Sequence, residues 1–152
     1  MRNQVLALDL GSTSGFAIVD PEYGLETCGE FKLKGENRAQ KLAEYDRWLH
    51  EQISSMENLR FVIYERPFTR GLPATRMLWG FAGVAEVVAT QHGLPVLDEL
   101  PTTVKKYSCG SGKASKEDMI KAATMFCGLN DLREHEADAI LLGKYALDNL
   151  ME

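Results

Sequence analysis

The stretch Gln4-Val5-Leu6-Ala7-Leu8-Asp9-Leu10-Gly11-Ser12-Thr13-Ser14-Gly15-Phe16-Ala17-Ile18-Val19 decides the fold. Residues 4–10 read as a strand, and 16–19 as a second one. Between them, 11–15 carries the glycines and serines of a turn. A second turn follows at Asp20-Pro21-Glu22-Tyr23-Gly24, and 25–33 reads as a third strand. Turns this short join antiparallel neighbours, so the three strands form a meander. Within this apolar frame stands Asp9. Aspartate is depleted in strands, and a half-buried carboxylate is costly without a partner.

Further along the chain the periodicity changes. Asn37 is placed to cap a helix running to about residue 54, with Gln40 three residues on. Leu42, Tyr45, Leu49 and Ile53 share one face of it, with Trp48 beside them. Residues 59–64 form a fourth strand that ends at Glu65, and Arg66-Pro67 breaks it. A helix over 75–92 is ended by Gly93, and 94–97 forms a fifth strand. A short helix starts after Pro101, and Gly110-Ser111-Gly112 is a loop. Ser115 caps a helix over 116–126, with Asp118 three positions on. The last helix begins near Arg133 or His135 and runs to about Leu150. The order β-β-β-α-β-α-β-α-α predicts an α/β fold: one five-stranded mixed sheet, three antiparallel strands and then parallel ones, with helices on both faces. No repeat, low-complexity tract or linker divides the chain, so a single domain over 1–152 is expected.

The bulk properties fit that picture. A domain of 152 residues, 45% hydrophobic and 26% charged, buries roughly 70% of its unfolded surface. No apolar run approaches the ~20 residues of a membrane helix. Asp9 and Gly11 interrupt the first apolar stretch, which excludes a signal-peptide pattern. The expectation is a cytoplasmic protein, of a bacterial cell or a virus-infected host cell. Cys28, Cys109 and Cys127 are odd in number and include no C-x-x-C pair, so they read as free thiols. The net charge of -5 excludes a uniformly basic surface. Lys105, Lys106, Lys113 and Lys116 nevertheless cluster within twelve residues, as a basic patch on an acidic body or as a solvated charged face.

Two further acids join Asp9. Glu65 closes the apolar strand Phe61-Val62-Ile63-Tyr64, and Asp138 lies in the last helix, where an inward face presents it to the sheet. If the first and fourth strands are neighbours, Asp9 and Glu65 lie side by side, and their repulsion raises a pKa unless cations intervene. Magnesium takes hard oxygen ligands. Two such ions, roughly 3.5–4 Å apart, activate a water and stabilise the leaving oxygen in phosphodiester cleavage. His135, three residues before Asp138, shares its helix face. It is a candidate to position water or phosphate, with a capping role the alternative.

Four segments together resemble the RuvC-type Holliday junction resolvases of the RNase H-like superfamily. They are Leu8-Asp9-Leu10-Gly11-Ser12-Thr13-Ser14-Gly15-Phe16-Ala17, then Ile63-Tyr64-Glu65-Arg66-Pro67-Phe68. The third is Pro101-Thr102-Thr103-Val104-Lys105-Lys106 with Gly110-Ser111-Gly112-Lys113-Ala114-Ser115-Lys116, and the fourth is His135-Glu136-Ala137-Asp138-Ala139. The resemblance spans nearly the whole chain. It implies a homodimer that cuts four-way DNA junctions symmetrically with two Mg2+ or Mn2+ ions per site. Asp9, Glu65 and Asp138 match the family's catalytic, metal-holding acids. His135 stands where the family usually has a fourth acid, with Glu136 beside it as a substitute. Phe68 matches an aromatic that stacks on bases, and Lys105, Lys106, Lys113 and Lys116 match segments that contact phosphates. The helix over 75–92 is apolar around much of its circumference: Met77, Leu78, Trp79, Phe81, Val84, Val87 and Val88. It is either the dimer interface or a fully buried core helix.

Three other readings stand beside this one. A YqgF-like RNA-processing nuclease of the same fold opens with a similar hairpin. A branched-DNA-binding protein that does not cut is consistent with the histidine at 135. The segment Asp9-Leu10-Gly11-Ser12-Thr13-Ser14 also resembles the first phosphate loop of sugar kinases and actin-like ATPases, but those need a second duplicated domain that this length does not hold.

Overall fold

The computed structural model describes residues 3–67 and 71–151. Its elements are β1 (Gln4–Asp9), β2 (Thr13–Asp20), β3 (Gly24–Lys32), α1 (Arg38–Ser54), β4 (Leu59–Glu65), α2 (Leu72–Gln91), β5 (Val96–Glu99), α3 (Pro101–Cys109), α4 (Lys116–Cys127) and α5 (Glu134–Asn149). The strands make one sheet in the order β3-β2-β1-β4-β5. The β1-β2 and β2-β3 pairs are antiparallel, and the β1-β4 and β4-β5 pairs are parallel. This is the RNase H-like arrangement that the sequence leads one to expect.

Strand alternation sorts the core into two layers. Leu6 and Leu8 of β1 and Leu10 just after it, with Val62 and Tyr64 of β4, face α1 and α2, where Tyr45, Leu49, Phe81 and Val88 meet them. Val5 and Ala7, with Phe61 and Ile63, face the other way, towards α5 and α4. Since side chains alternate with period two, Asp9 and Glu65 continue the second series and point to the α5 side. Gly143 sets how closely α5 lies on the sheet. A Cβ there would stand 2.9 Å from a Val19 methyl.

The helix caps follow the sequence. Asn37 accepts the backbone N–H of Gln40, and Ser115 accepts that of Asp118, whose carboxylate accepts the N–H of Ser115 in return. Phe16, Phe31, Trp48, Tyr45 and Phe81 form an aromatic cluster under α1.

The starts of β2 and β5 differ from expectation, and the structure decides how α2 is buried. The turn after β1 is shorter, and β2 begins at Thr13 rather than 16. The Ser14 hydroxyl, buried, donates to the Gly11 carbonyl at 2.5 Å, which closes the turn early. β5 runs two residues later than expected, because Leu94 is tied by its N–H to the Ala89 carbonyl at the end of α2. α2 is not fully buried. Phe81, Ala82, Ala85, Val88 and Ala89 are enclosed, but Trp79 and Val87 are 45% and 54% exposed. The most enclosed helix is α5, with Ala137, Ala139, Ile140, Leu141, Leu142 and Ala146 all buried.

Candidate metal centre

The site forms at the C-terminal ends of β1 and β4, under the first turns of α5. The parallel register sets Leu8 against Tyr64, and one position on it brings Asp9 beside Glu65. The two carboxyls are close enough to affect each other's proton affinity. In the antiparallel direction Asp9 pairs with Gly15, and Gly15 pairs with Glu30. This row of three positions is what admits α5. A Cβ on Gly15 would lie 2.2 Å from the His135 carbonyl oxygen, so only glycine lets the helix come this close.

His135 is then held at both ends. Its backbone N–H, one of the unpaired donors of a helix start, donates to the Glu30 carboxylate at 2.9 Å. Its Nδ1 lies 2.7 Å from Asp9 Oδ2. One turn later Asp138 completes the group. Among the described residues, ligand atoms of Asp9, His135 and Asp138 all lie within 4.8 Å of one another. A small cavity of about 130 Å³, lined by Asp9, Glu65, Pro67 and Pro101, opens beside them.

The electrostatics are those of a site short of positive charge. Burial and then the charges of Asp9 and Asp138 hold Glu65 well above the usual carboxylate range, and Lys105 opposes this. Burial, Asp9 and Glu134 push Asp138 up to about 7. Burial also raises Asp9, with His135 offsetting it. Its hydrogen bond to Asp9 pushes the His135 imidazole up to about 9. The contact with Asp9 therefore favours the protonated form of His135.

A stability prediction follows. Asp138 binds its proton more tightly folded than unfolded, so its contribution is lost as pH rises from 3.8 through about 7. Glu65 acts in the same direction. His135 stabilises below 6.5 and ceases to do so as pH rises through about 9. All three make the metal-free protein less stable from weakly acidic to alkaline pH. Thermal melts in a chelator should show Tm falling over that window. Asp138→Asn, which removes one of the crowded charges, should raise Tm at pH 8 by several degrees, at about 2–4 °C per kcal/mol for a chain of this size. A Tm that rises with pH would contradict the charge assignment.

The other expected site residues are more dispersed. Lys105 is half-buried and close enough to act on Glu65 and Asp138. Lys106 and Lys113 are exposed, on α3 and in the loop after it. Lys116 at the start of α4 pairs with Glu134 at 3.3 Å. Phe68 lies outside the described residues. Glu136 does not stand in for a fourth acid. It accepts the Arg133 N–H at 2.7 Å and faces Cys28, away from the carboxyls. Glu30 and Glu134 are additions the sequence reading missed. Glu30 becomes visible once the hairpin register is known, two strands across from Asp9.

The donor set fits hard divalent cations. Buried carboxyls that repel one another gain from a cation, and an imidazole completes an O/N ligand set.

Comparisons with known proteins agree with the geometry. No protein-family model matches the chain. It is 35% identical over 143 residues to the crossover junction endodeoxyribonuclease RuvC of Anaeromyxobacter dehalogenans, covering 91% of this chain and 77% of that one. It is 29% identical over 145 residues to the enzyme of the same name from Chromohalobacter salexigens, with the same coverage. Among solved structures, T. thermophilus RuvC in complex with a Holliday junction substrate superposes with a TM-score of 0.79 over 93% of this chain and 90% of that one, at 22% identity.

Proposed function

Since the chain belongs to the RuvC family of crossover junction endodeoxyribonucleases, we propose that it resolves four-way DNA junctions by metal-dependent phosphodiester hydrolysis, with Asp9, Glu65, His135 and Asp138 as its catalytic centre. The observation that carries this reading is the convergence of Asp9, His135 and Asp138 within 4.8 Å, beside Glu65. Two Mg2+ or Mn2+ ions would bind here, supplying Lewis acidity and a lowered water pKa.

The chain's own residues do the rest. Asp9, rigid in the central strand and reached from both sides, would hold metal together with Glu65 on one side and the α5 pair on the other. Glu65 and Asp138, whose protonated forms burial and neighbouring acids favour, would lose that bias beside a cation. His135 would offer Nδ1 as a ligand once its proton had passed to solvent, while Glu30 holds its backbone N–H. Lys105 remains beside the acids as a fixed positive charge for a scissile phosphate. Lys106, Lys113 and Lys116 track the flanking backbone, and Phe68 stacks on unpaired bases at the crossover. Phosphate contacts of this kind hold register, while the junction's shape carries selectivity.

A four-way junction has two-fold symmetry, so two copies of the chain related by a two-fold axis set two sites against opposed strands. The exposed apolar flank of α2, with Trp79 and Val87, is the surface for this pairing.

The test is a panel of end-labelled substrates: four-way junction, linear duplex and RNA–DNA hybrid, with Mg2+ and with Mn2+. Paired nicks at symmetric positions in the junction alone are expected. Cutting of the hybrid in preference to the junction would move the chain to an RNA-processing role.

One metal prediction arises from His135. Imidazole suits transition ions better than it suits Mg2+. His135→Asp restores an all-oxygen set, and should raise the ratio of Mg2+-supported to Mn2+-supported cutting. An unchanged ratio would remove His135 from the ligand set.

A further inference from the structure

The opposite end of the sheet carries a second group of metal-ligating side chains. Both α1 and α2 finish there, because each leads into the N-terminal end of a parallel strand. His50, in the penultimate turn of α1, and His92, which closes α2, place Nδ1 and Nε2 2.9 Å apart. Asp46 sits one turn before His50, and its Oδ1 is 3.8 Å from His50 Nε2. Both histidines and Asp46 are reached by solvent, and Glu51 lines the same cleft as Asp46 and His50.

One of the two facing nitrogens carries the proton between them. The Asp46 carboxylate, 3.8 Å from Nε2, favours the tautomer in which that nitrogen of His50 is protonated and Nδ1 is free to act as a ligand. Nitrogens bound to one ion at about 2.0–2.1 Å lie roughly 3–3.4 Å from each other, so the present pair needs to open by a few tenths of an ångström and each ring to turn by roughly 40° towards the ion. A carboxylate on the far nitrogen is the usual support for a ligating histidine.

We infer that His50 and His92 form a two-nitrogen site for a late first-row divalent ion, Zn2+, Ni2+ or Cu2+, with Asp46 orienting His50 from behind. Imidazole pairs suit these ions, whereas Mg2+ and Ca2+ demand oxygen. Binding takes one lone pair from each ring, so His92 offers Nε2 in the tautomer that carries its proton on Nδ1. Water completes the coordination. The ion ties the end of α1 to the end of α2, and by linkage it raises the melting temperature.

The test is calorimetric titration of ZnCl2 into the untagged full chain, with melts at each ratio. The comparison is the parent, His50→Gln, His92→Gln and Asp46→Asn. The parent should bind one more Zn2+ than either histidine variant, and only the parent should gain the matching rise in Tm. Asp46→Asn should weaken that event about 10-fold. Both histidine variants should cut junctions at the parental rate in Mg2+, which separates this site from the carboxylates. Identical Zn2+ isotherms for the parent and His50→Gln would overturn the inference. So would a loss in only one of the two histidine variants, since chelation needs both nitrogens.

Discussion

Asp9→Asn is expected to slow junction cleavage by more than about 10³-fold while leaving junction binding within a few-fold of the parent. The substitution keeps shape and removes charge at the one residue that meets Glu65, His135 and Asp138 together. Asn offers a single neutral oxygen where a shared metal ligand needs two charged ones. It also removes the carboxylate beside the His135 imidazole, whose raised pKa depends first on Asp9. Binding survives because Lys106, Lys113 and Lys116, proposed to track the flanking backbone, lie on α3, in the loop after it and on α4, and the substitution leaves them and Lys105 in place. Single-turnover cleavage beside gel-shift titration reads both quantities. A parental rate would place the chemistry elsewhere. A loss of binding equal to the loss of cutting would make Asp9 a structural residue.

Gly15→Ala should be nearly as damaging, though position 15 holds no metal and touches no DNA in this account. The added methyl meets the His135 carbonyl at 2.2 Å and its carbon at 2.5 Å. Both are backbone atoms, so no rotamer relieves the contact. Either α5 lifts or β2 bends. Overpacking of this kind costs about 1–3 kcal/mol and sometimes more. Lifting α5 also separates His135 and Asp138 from Asp9, so cutting should fall further than stability does. Melts and cleavage measured on the same preparation decide this. A variant with parental Tm and parental rate would mean that α5 does not sit as close to the hairpin as the structure has it.

Much of this was legible in the residues. The alternation Val5, Ala7, Asp9 and Phe61, Ile63, Glu65 is enough to put both carboxyls on one face. Three acids standing in apolar elements announce a charged site. What was hidden depends on register and distance. Gly15 reads as a turn residue beside Ser14, and only pairing with Asp9 and Glu30 reveals it as the gap through which α5 approaches. Glu30 lies in a half-exposed strand, where nothing in its pattern separates it from Glu26. Glu136 is adjacent to His135 in sequence, but a helix turns it by about 100°, towards Arg133 and Cys28. The pattern of α2 fits both burial and exposure. The structure divides it, with Phe81 and Val88 inside and Trp79 and Val87 outside.

The most direct test of the central claim uses a supercoiled plasmid that extrudes a cruciform. Two linked active sites, each needing Asp9 and a divalent ion, should convert it to a linear molecule cut at the cruciform base when Mg2+ or Mn2+ is added. A chelator should abolish this, and so should Asp9→Asn. Linear product that persists in the chelator or in Asp9→Asn, or an intact plasmid with either metal, would contradict the account.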